Sequence, residues 1–203
     1  MRIGVIGAGA FGTALACVEA AAGREVMLWG RDPAAMAAMA ETRENRARLP
    51  GVPLPERVRP VAEIAALAEC AILLMVLPAQ ATAGFLADHG GLLPGVPAVF
   101  CAKGLARGDF RRQSEIGSAA LPDRPVAVLT GPGFAGEIAR GLPTALTIAC
   151  ADTGTGQWLQ TALSTPRLRL YLTDDVTGAE LGGALKNVIA LACGMAEGRG
   201  LGQ

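Results

Sequence analysis

Residues 3 to 31 constrain this chain more than any other stretch. Ile3, Val5 and Ile6 make a short apolar strand that runs into Gly7-Ala8-Gly9-Ala10-Phe11-Gly12, after which Phe11, Ala14, Leu15 and Val18 recur at helical spacing. A second strand, Glu25 to Trp29, follows Gly23, and Asp32-Pro33 starts an alanine-rich helix with a capping side chain and a proline at the first helical position. The unit reads β-α-β. In such a unit Gly7 permits the tight turn, Gly9 leaves room for a pyrophosphate against the backbone, and Gly12 lets the helix pack on the sheet. Amides at the helix start would hold the phosphates. A glycine turn that serves packing alone is the competing explanation.

The alternation continues along the chain. Residues 44 to 60 carry four arginines and four prolines without clear periodicity, which predicts an irregular surface loop. Helices are expected near 61–68, 79–87, 109–120, 134–140 and 154–163. Strands are expected at 71–76, 97–101, 125–130, 145–150 and 168–172, giving an α/β fold with a mostly parallel sheet covered by helices. Residues 176–197 read as one long apolar helix, and the chain finishes in Gly198-Arg199-Gly200-Leu201-Gly202-Gln203. A helix this apolar calls for a partner surface on more than one side.

Composition removes several classes of function. Eighteen basic residues balance eighteen acidic ones, so no basic footprint for nucleic acid is present, and 51% hydrophobic residues rule out disorder. The uncharged stretch Cys70 to Ala87 is interrupted by Pro78, Gln80, Thr82 and Gly84 and predicts a strand, turn and helix instead of a membrane span. The glycines after Met1-Arg2 make a poor signal-peptide core, so a cytoplasmic location is expected. Cys17, Cys70, Cys101, Cys150 and Cys193 lack CxxC spacing and read as buried reduced thiols. The single histidine, His89, sits in a loop-like Gly-rich segment with no acidic or cysteine cluster, and no metal site is expected.

Three features carry chemistry. At the end of the second strand, where an acid would bind the ribose of NAD, stands Trp29-Gly30-Arg31. Asp32 lies at about the expected distance past Gly12, but it is better explained as a helix cap. Arg31 could pair with the 2′-phosphate of NADP, stack on adenine, or be an ordinary surface arginine. Second, among 18 basic residues only Lys103 and Lys186 are lysines, and Asn45 and Asn187 are the sole asparagines. A lysine can lose its proton near neutrality when buried, whereas arginine cannot, so both lysines are candidates for acid or base chemistry. Lys103 follows a strand at its carboxyl end, and Lys186 sits in the apolar helix, where desolvation would lower its pKa. Lysines that merely survived an arginine-rich composition would lie on exposed faces. Third, Gly131-Pro132-Gly133-Phe134-Ala135-Gly136-Glu137 follows a strand and suits close approach of a ligand, or is simply a loop before a helix.

Gly7 to Gly12 with Thr13-Ala14-Leu15-Ala16, Leu28-Trp29-Gly30-Arg31-Asp32, Ala102-Lys103-Gly104-Leu105, Gly131 to Glu137, and Leu181-Gly182-Gly183-Ala184-Leu185-Lys186-Asn187-Val188-Ile189-Ala190 occur in that order. Together they closely resemble bacterial NAD(P)-dependent glycerol-3-phosphate dehydrogenase. The resemblance implies a Rossmann-type doubly wound domain over residues 1–174. It implies the first helix of a truncated all-helical substrate domain over 175–203. It implies reduction of dihydroxyacetone phosphate to sn-glycerol 3-phosphate for phospholipid synthesis, by hydride transfer from NAD(P)H without a metal, in a cytoplasmic homodimer; Arg31, with no acid at the strand end, is the reason NADP is favoured. Carried over residue by residue, Gly7, Gly9, Ala10, Phe11, Gly12, Arg31, Lys103 and Ala135 fall at cofactor contacts. Lys103, Gly131, Gly133, Lys186 and Asn187 fall at substrate contacts, with Lys186 as proton donor and acceptor and Lys103 assisting it. Gly133 departs from the family's usual serine or threonine and removes a hydroxyl donor.

The family continues for a further helical domain, so this chain is expected to be its N-terminal part and to turn over poorly alone. Three alternatives remain: a related Rossmann reductase acting on another hydroxy or keto acid, a dinucleotide-binding module without turnover, and a purely structural interaction domain.

Overall fold

The structure, a computed structural model, describes residues 1–201; Gly202 and Gln203, the end of the glycine-rich run, lie outside the described residues. The first unit comprises β1 (Arg2–Ile6), α1 (Ala10–Ala21), β2 (Glu25–Trp29) and α2 (Pro33–Thr42). Asp32 caps α2, its carboxylate accepting from the amides of Ala34 at 3.0 Å and Ala35 at 3.3 Å. The first helical turn leaves those donors without helical partners, which is why an acid-proline pair starts a helix here. The chain continues through β3 (Val58–Val61), β4 (Ile72–Met75), α3 (Thr82–His89), β5 (Ala98–Phe100), α4 (Gln113–Ala120), β6 (Val126–Thr130) and α5 (Ala135–Ala139). It ends with β7 (Thr144–Ala149), α6 (Thr153–Leu163), β8 (Leu168–Thr173) and α7 (Val176–Gly198).

Among the described residues eight strands form one sheet in the order β3-β2-β1-β4-β5-β6-β7-β8. The first six run parallel. The direction reverses at β7, which is antiparallel to β6, and β8 follows β7 in parallel. The segment between β6 and β7 forms the short α5, which packs along α1, and the chain re-enters the sheet antiparallel. Strand order changes hands between β1 and β4, which makes their carboxyl ends the expected ligand crevice.

Alternate residues of each strand feed two apolar layers. Ile3, Val5, Ile72, Leu74 and Val99 meet α1, α2, α5 and α6 on one face, while Ile6, Leu73, Met75 and Phe100 meet α3 and α4 on the other. A central parallel strand buried on both faces must be apolar throughout, and Ile72 to Met75 are all buried.

Several sequence expectations are corrected. The segment read as loop contains the strand β3, with Pro60 inside it; β3 is an edge strand, where a missing amide costs no ladder bond. Where a helix was expected over 61–68, a single 3-10 turn, Ile64–Leu67, follows the strand, and the Ala62 carbonyl accepts from Trp29 Nε1 at 2.7 Å. The helix expected from 109 begins at Gln113, because Gly104, Gly108 and Phe110 adopt left-handed backbone conformations in a loop before it. His89 ends α3, with its ring against Phe85 and Trp29, instead of lying in a loop. Cys17, Cys70, Cys101 and Cys150 are buried, and burial pushes the Cys101 thiol up to about 12. Cys193 is exposed on α7, contrary to the buried reading. Leu185, Val188, Ile189, Leu191 and Met195 are exposed on the same helix. Among the described residues no helix is long and apolar enough to cross a membrane.

Candidate active site

The glycine turn sits at the carboxyl end of β1. Gly7 has φ +120°, and a Cβ there would lie 2.2 Å from the Val76 carbonyl oxygen; at Gly12 it would lie 2.0 Å from the Gly7 oxygen. Both positions are glycine because backbone occupies the side-chain space. Gly9 differs. Its φ is −77° and nothing lies within 4 Å of the position a Cβ would take. Among the described residues no packing requires glycine there, and the open space is what an approaching pyrophosphate would use. The residues of this turn therefore fit a dinucleotide.

Around the turn, Ala10 and Phe11 form the first turn of α1 and are half-buried, and Ala135 at the start of α5 joins the same apolar layer. Arg31 follows Gly30, whose Cβ position lies 3.2 Å from the Ala8 methyl, so Arg31 stands exposed at the flank of the glycine turn. Among the described residues Arg31 has no ion pair. The Asp32 carboxylate is engaged as the cap of α2, which bears out its reading as a cap.

Further along the same edge, register aligns Ile6 with Met75, Met75 with Phe100, and Phe100 with Val128. The residues just beyond these strands thus share one rim. Lys103 follows β5 and Gly131 follows β6, and Lys103 Nζ donates to the Gly131 carbonyl oxygen at 2.9 Å. Gly131 has φ +144°, with its Cβ position 3.0 Å from Leu146 Cδ2, so glycine is required by both conformation and space. α7 closes this region from above. At Gly183 a Cβ would lie 2.8 Å from Thr130 Oγ1 and 3.9 Å from Lys103 Cγ, and that close approach of the helix brings Lys186 to the rim. Lys103, Thr130, Gly131, Gly182, Gly183 and Lys186 line one pocket of about 310 Å³.

The two lysines that stand apart in an arginine-rich sequence therefore meet, although they are 83 positions apart. Desolvation lowers the pKa of Lys103, and the charge of Lys186 lowers it further. Lys186 and Lys103 are both exposed, so the burial expected for Lys186 is absent and their exposure is also what ordinary surface lysines would show. Gly133 and Asn187 do not line the pocket. Gly133 packs beneath the loop, its Cβ position 3.1 Å from Ile138 Cδ1, and Asn187 is exposed on α7. Among the described residues no group of three or more His, Cys, Asp or Glu side chains converges as for a metal ion.

Supporting contacts were not apparent from the sequence. Gln113 Nε2 donates to the Gly104 carbonyl at 3.1 Å, Gln80 Nε2 donates to that of Leu105 at 2.8 Å, and Gln80 Oε1 accepts from the Arg107 amide, which together hold the loop carrying Lys103. α7 is registered by buried Glu180, whose carboxylate accepts from the amide of Ser114 at 2.9 Å and from its hydroxyl. Arg112 donates to Thr177 Oγ1 at 2.6 Å beside it. Asn45, one of the two asparagines, is buried, and its amide donates to the Ala8 carbonyl and to Thr13 Oγ1. These partners are distant in sequence and follow no local period.

The chain is similar to known proteins in sequence and in fold. Residues 2–155 match the description "NAD-dependent glycerol-3-phosphate dehydrogenase N-terminus", and residues 175–203 match "NAD-dependent glycerol-3-phosphate dehydrogenase C-terminus". The whole chain is 47% identical to 61% of the length of glycerol-3-phosphate dehydrogenase [NAD(P)+] from Caulobacter vibrioides, and 54% identical to 62% of that from Paracoccus denitrificans. It thus spans about three fifths of the length of these curated relatives. The solved glycerol-3-phosphate dehydrogenase from Coxiella burnetii superposes with a TM-score of 0.90 at 34% identity, over 100% of this chain and 62% of that one.

Proposed function

The chain belongs to the NAD-dependent glycerol-3-phosphate dehydrogenase family, and on that basis we propose that it binds NAD(P)H and acts in hydride transfer between the nicotinamide and dihydroxyacetone phosphate or sn-glycerol 3-phosphate. The observation that carries the reading is the pocket shared by Lys103 and Lys186 on the same sheet edge as the open Gly9 turn. Among the described residues neither lysine has a carboxylate in ion-pair contact. Two neighbouring ammonium groups without a counter-ion repel, and a phosphorylated substrate supplies the missing negative charge.

Gly7, Gly9, Ala10, Phe11, Gly12, Arg31, Lys103 and Ala135 are the residues proposed to hold the dinucleotide, which when bound supplies the hydride. Arg31, in the place of a ribose-binding acid, favours NADP. Lys103, Gly131 and Lys186, which line the pocket, are proposed to hold the substrate, whereas Gly133 and Asn187, which the resemblance also implies as substrate contacts, stand outside its lining. As charge develops on the carbonyl oxygen, Lys186 Nζ donates its proton, and Lys103 fixes the substrate by charge and hydrogen bonding. Residues 1–174 would form the dinucleotide domain and 175–203 the start of a helical substrate domain; the separate family match beginning at 175 supports this division. The reaction would feed glycerophospholipid synthesis in the cytoplasm, and a homodimer is the assembly the family resemblance implies.

The test is a titration followed by an assay. Adding the chain should enhance NADPH fluorescence, and the chain extended to the full family length should consume NADPH with dihydroxyacetone phosphate. Failure to bind any nicotinamide dinucleotide would sink the reading, whereas binding without turnover in the extended chain would leave a dinucleotide module. In that extended chain Lys186→Met should lower turnover at least ~100-fold while NADPH affinity stays within about twofold.

A further inference from the structure

The residue that orients the glycine turn comes from outside the β-α-β unit. Asn45, 4% exposed, lies beyond α2 and donates both hydrogens of its amide into the turn, to the Ala8 carbonyl oxygen at 3.0 Å and to Thr13 Oγ1 at 2.7 Å. Those acceptors flank Gly9 on either side in sequence. The Ala8–Gly9 peptide is planar and trans, so its carbonyl and its N–H point in opposite directions. A carbonyl drawn inward to Asn45 turns the Gly9 N–H the other way, away from Asn45.

Asn45 is itself firmly held. Its backbone oxygen accepts from the amides of Arg48 and Leu49. Glu44 pairs with Pro53 in an isolated bridge and accepts from the Gly51 amide at 2.7 Å. Arg43 donates to the carbonyls of Leu54, Pro55 and Val58. Leu49, Val52 and Leu54 are buried in the core. The segment after α2 is thus a rigid strap across the start of α1.

We propose that Asn45 is a positioning residue for the dinucleotide pyrophosphate, which fixes the Ala8–Gly9 peptide so that its amide faces the phosphates. This rests on the dinucleotide reading of the turn and deepens it. A carboxylate of the same shape cannot donate to the Ala8 oxygen and would repel it, freeing the peptide to rotate. Because the pyrophosphate is common to both cofactors, the loss should be equal for NADH and NADPH.

The experiment compares wild type, Asn45→Asp, Asn45→Ala and Thr13→Val by fluorescence titration with NADPH and NADH, below the melting temperature of each variant. Asn45→Asp should weaken both cofactors by about tenfold or more, and Asn45→Ala should weaken both in the same direction. Thr13→Val removes the neighbouring acceptor but leaves the Ala8 bond, and should stay within about twofold of wild type even where it melts earlier. Should Asn45→Asp not fold, Asn45→Ala carries the comparison alone. If the Asn45 variants bind as wild type does, or if Thr13→Val loses as much affinity as they do, the positioning role is overturned while the dinucleotide reading stands. If wild type binds neither cofactor, both fall.

Discussion

Lys103 and Lys186 lie on separate elements yet share one pocket, and the ammonium of Lys186 disfavours the protonated form of Lys103 across it. Close like charges stay together only because the fold places them there: the Gln80 and Gln113 contacts hold one loop, and Glu180 holds the helix opposite. Removing one charge should therefore be felt by the other. In Lys186→Met the Lys103 pKa should rise, and an amine-reactive reagent at about pH 8.5 should label Lys103 more slowly than in wild type. Peptide mass spectrometry reads the rate, and unchanged labelling would show that the two groups do not interact.

The glycines of the first turn should separate into two kinds. Gly9→Val fills only open space, so the variant should fold normally and lose dinucleotide binding. Gly12→Val drives a side chain into the Gly7 carbonyl and should lower the melting temperature sharply. A Gly9→Val variant that binds NADPH like wild type would contradict the assignment.

Arg31 stands exposed beside the turn with no ion pair among the described residues, and no acid occupies the strand end. Arg31→Glu should weaken NADPH selectively and leave NADH nearly unaffected. Equal losses for both cofactors would mean that Arg31 does not read the 2′-phosphate.

Glu180 is buried and bonded to Ser114 across the contact between α7 and α4. Glu180→Ala leaves the Ser114 amide without its partner, a loss of about 1–3 kcal/mol. Hydrogen exchange in the first turns of α7 should accelerate while β1 and β4 remain protected. Uniform acceleration throughout would instead indicate global destabilisation.

Glu19 supplies a pH dependence of its own. It is 1% exposed within α1, and burial raises its carboxyl to about 7, against the opposing charge of Arg24 at 2.5 Å. Between about 4.5 and 7 the folded chain keeps a proton that the unfolded chain has released, so this group's stabilising contribution is full below the lower value and is lost as pH rises through the upper one. The span corresponds to a change on the order of 3 kcal/mol. Glu19→Gln should flatten that part of the stability profile in denaturant melts at pH 5 and pH 8. An unchanged profile would assign the slope elsewhere.

Local patterning was sufficient for the first β-α-β unit, most later strands, the Asp32 cap and the rim positions of Lys103 and Gly131. Each depends on interactions within a few residues: apolar periodicity, a capping carboxylate, a glycine where the chain turns. Patterning failed where a distant element decided the outcome. β3 was hidden because Pro60 argues against a strand except at a sheet edge, and which strand lies at the edge is a property of the completed sheet. The reversal at β7, reached through the α5 segment that packs on α1, and the exposure of Lys186 and Cys193 on α7 are properties of the assembled fold. Asn45, Gln80, Gln113 and Glu180 carry no signature at all. A hydrogen bond between residues separated by 32 or 66 positions has no period to betray it, and its geometry exists only once the hydrophobic layers have brought the two backbones together.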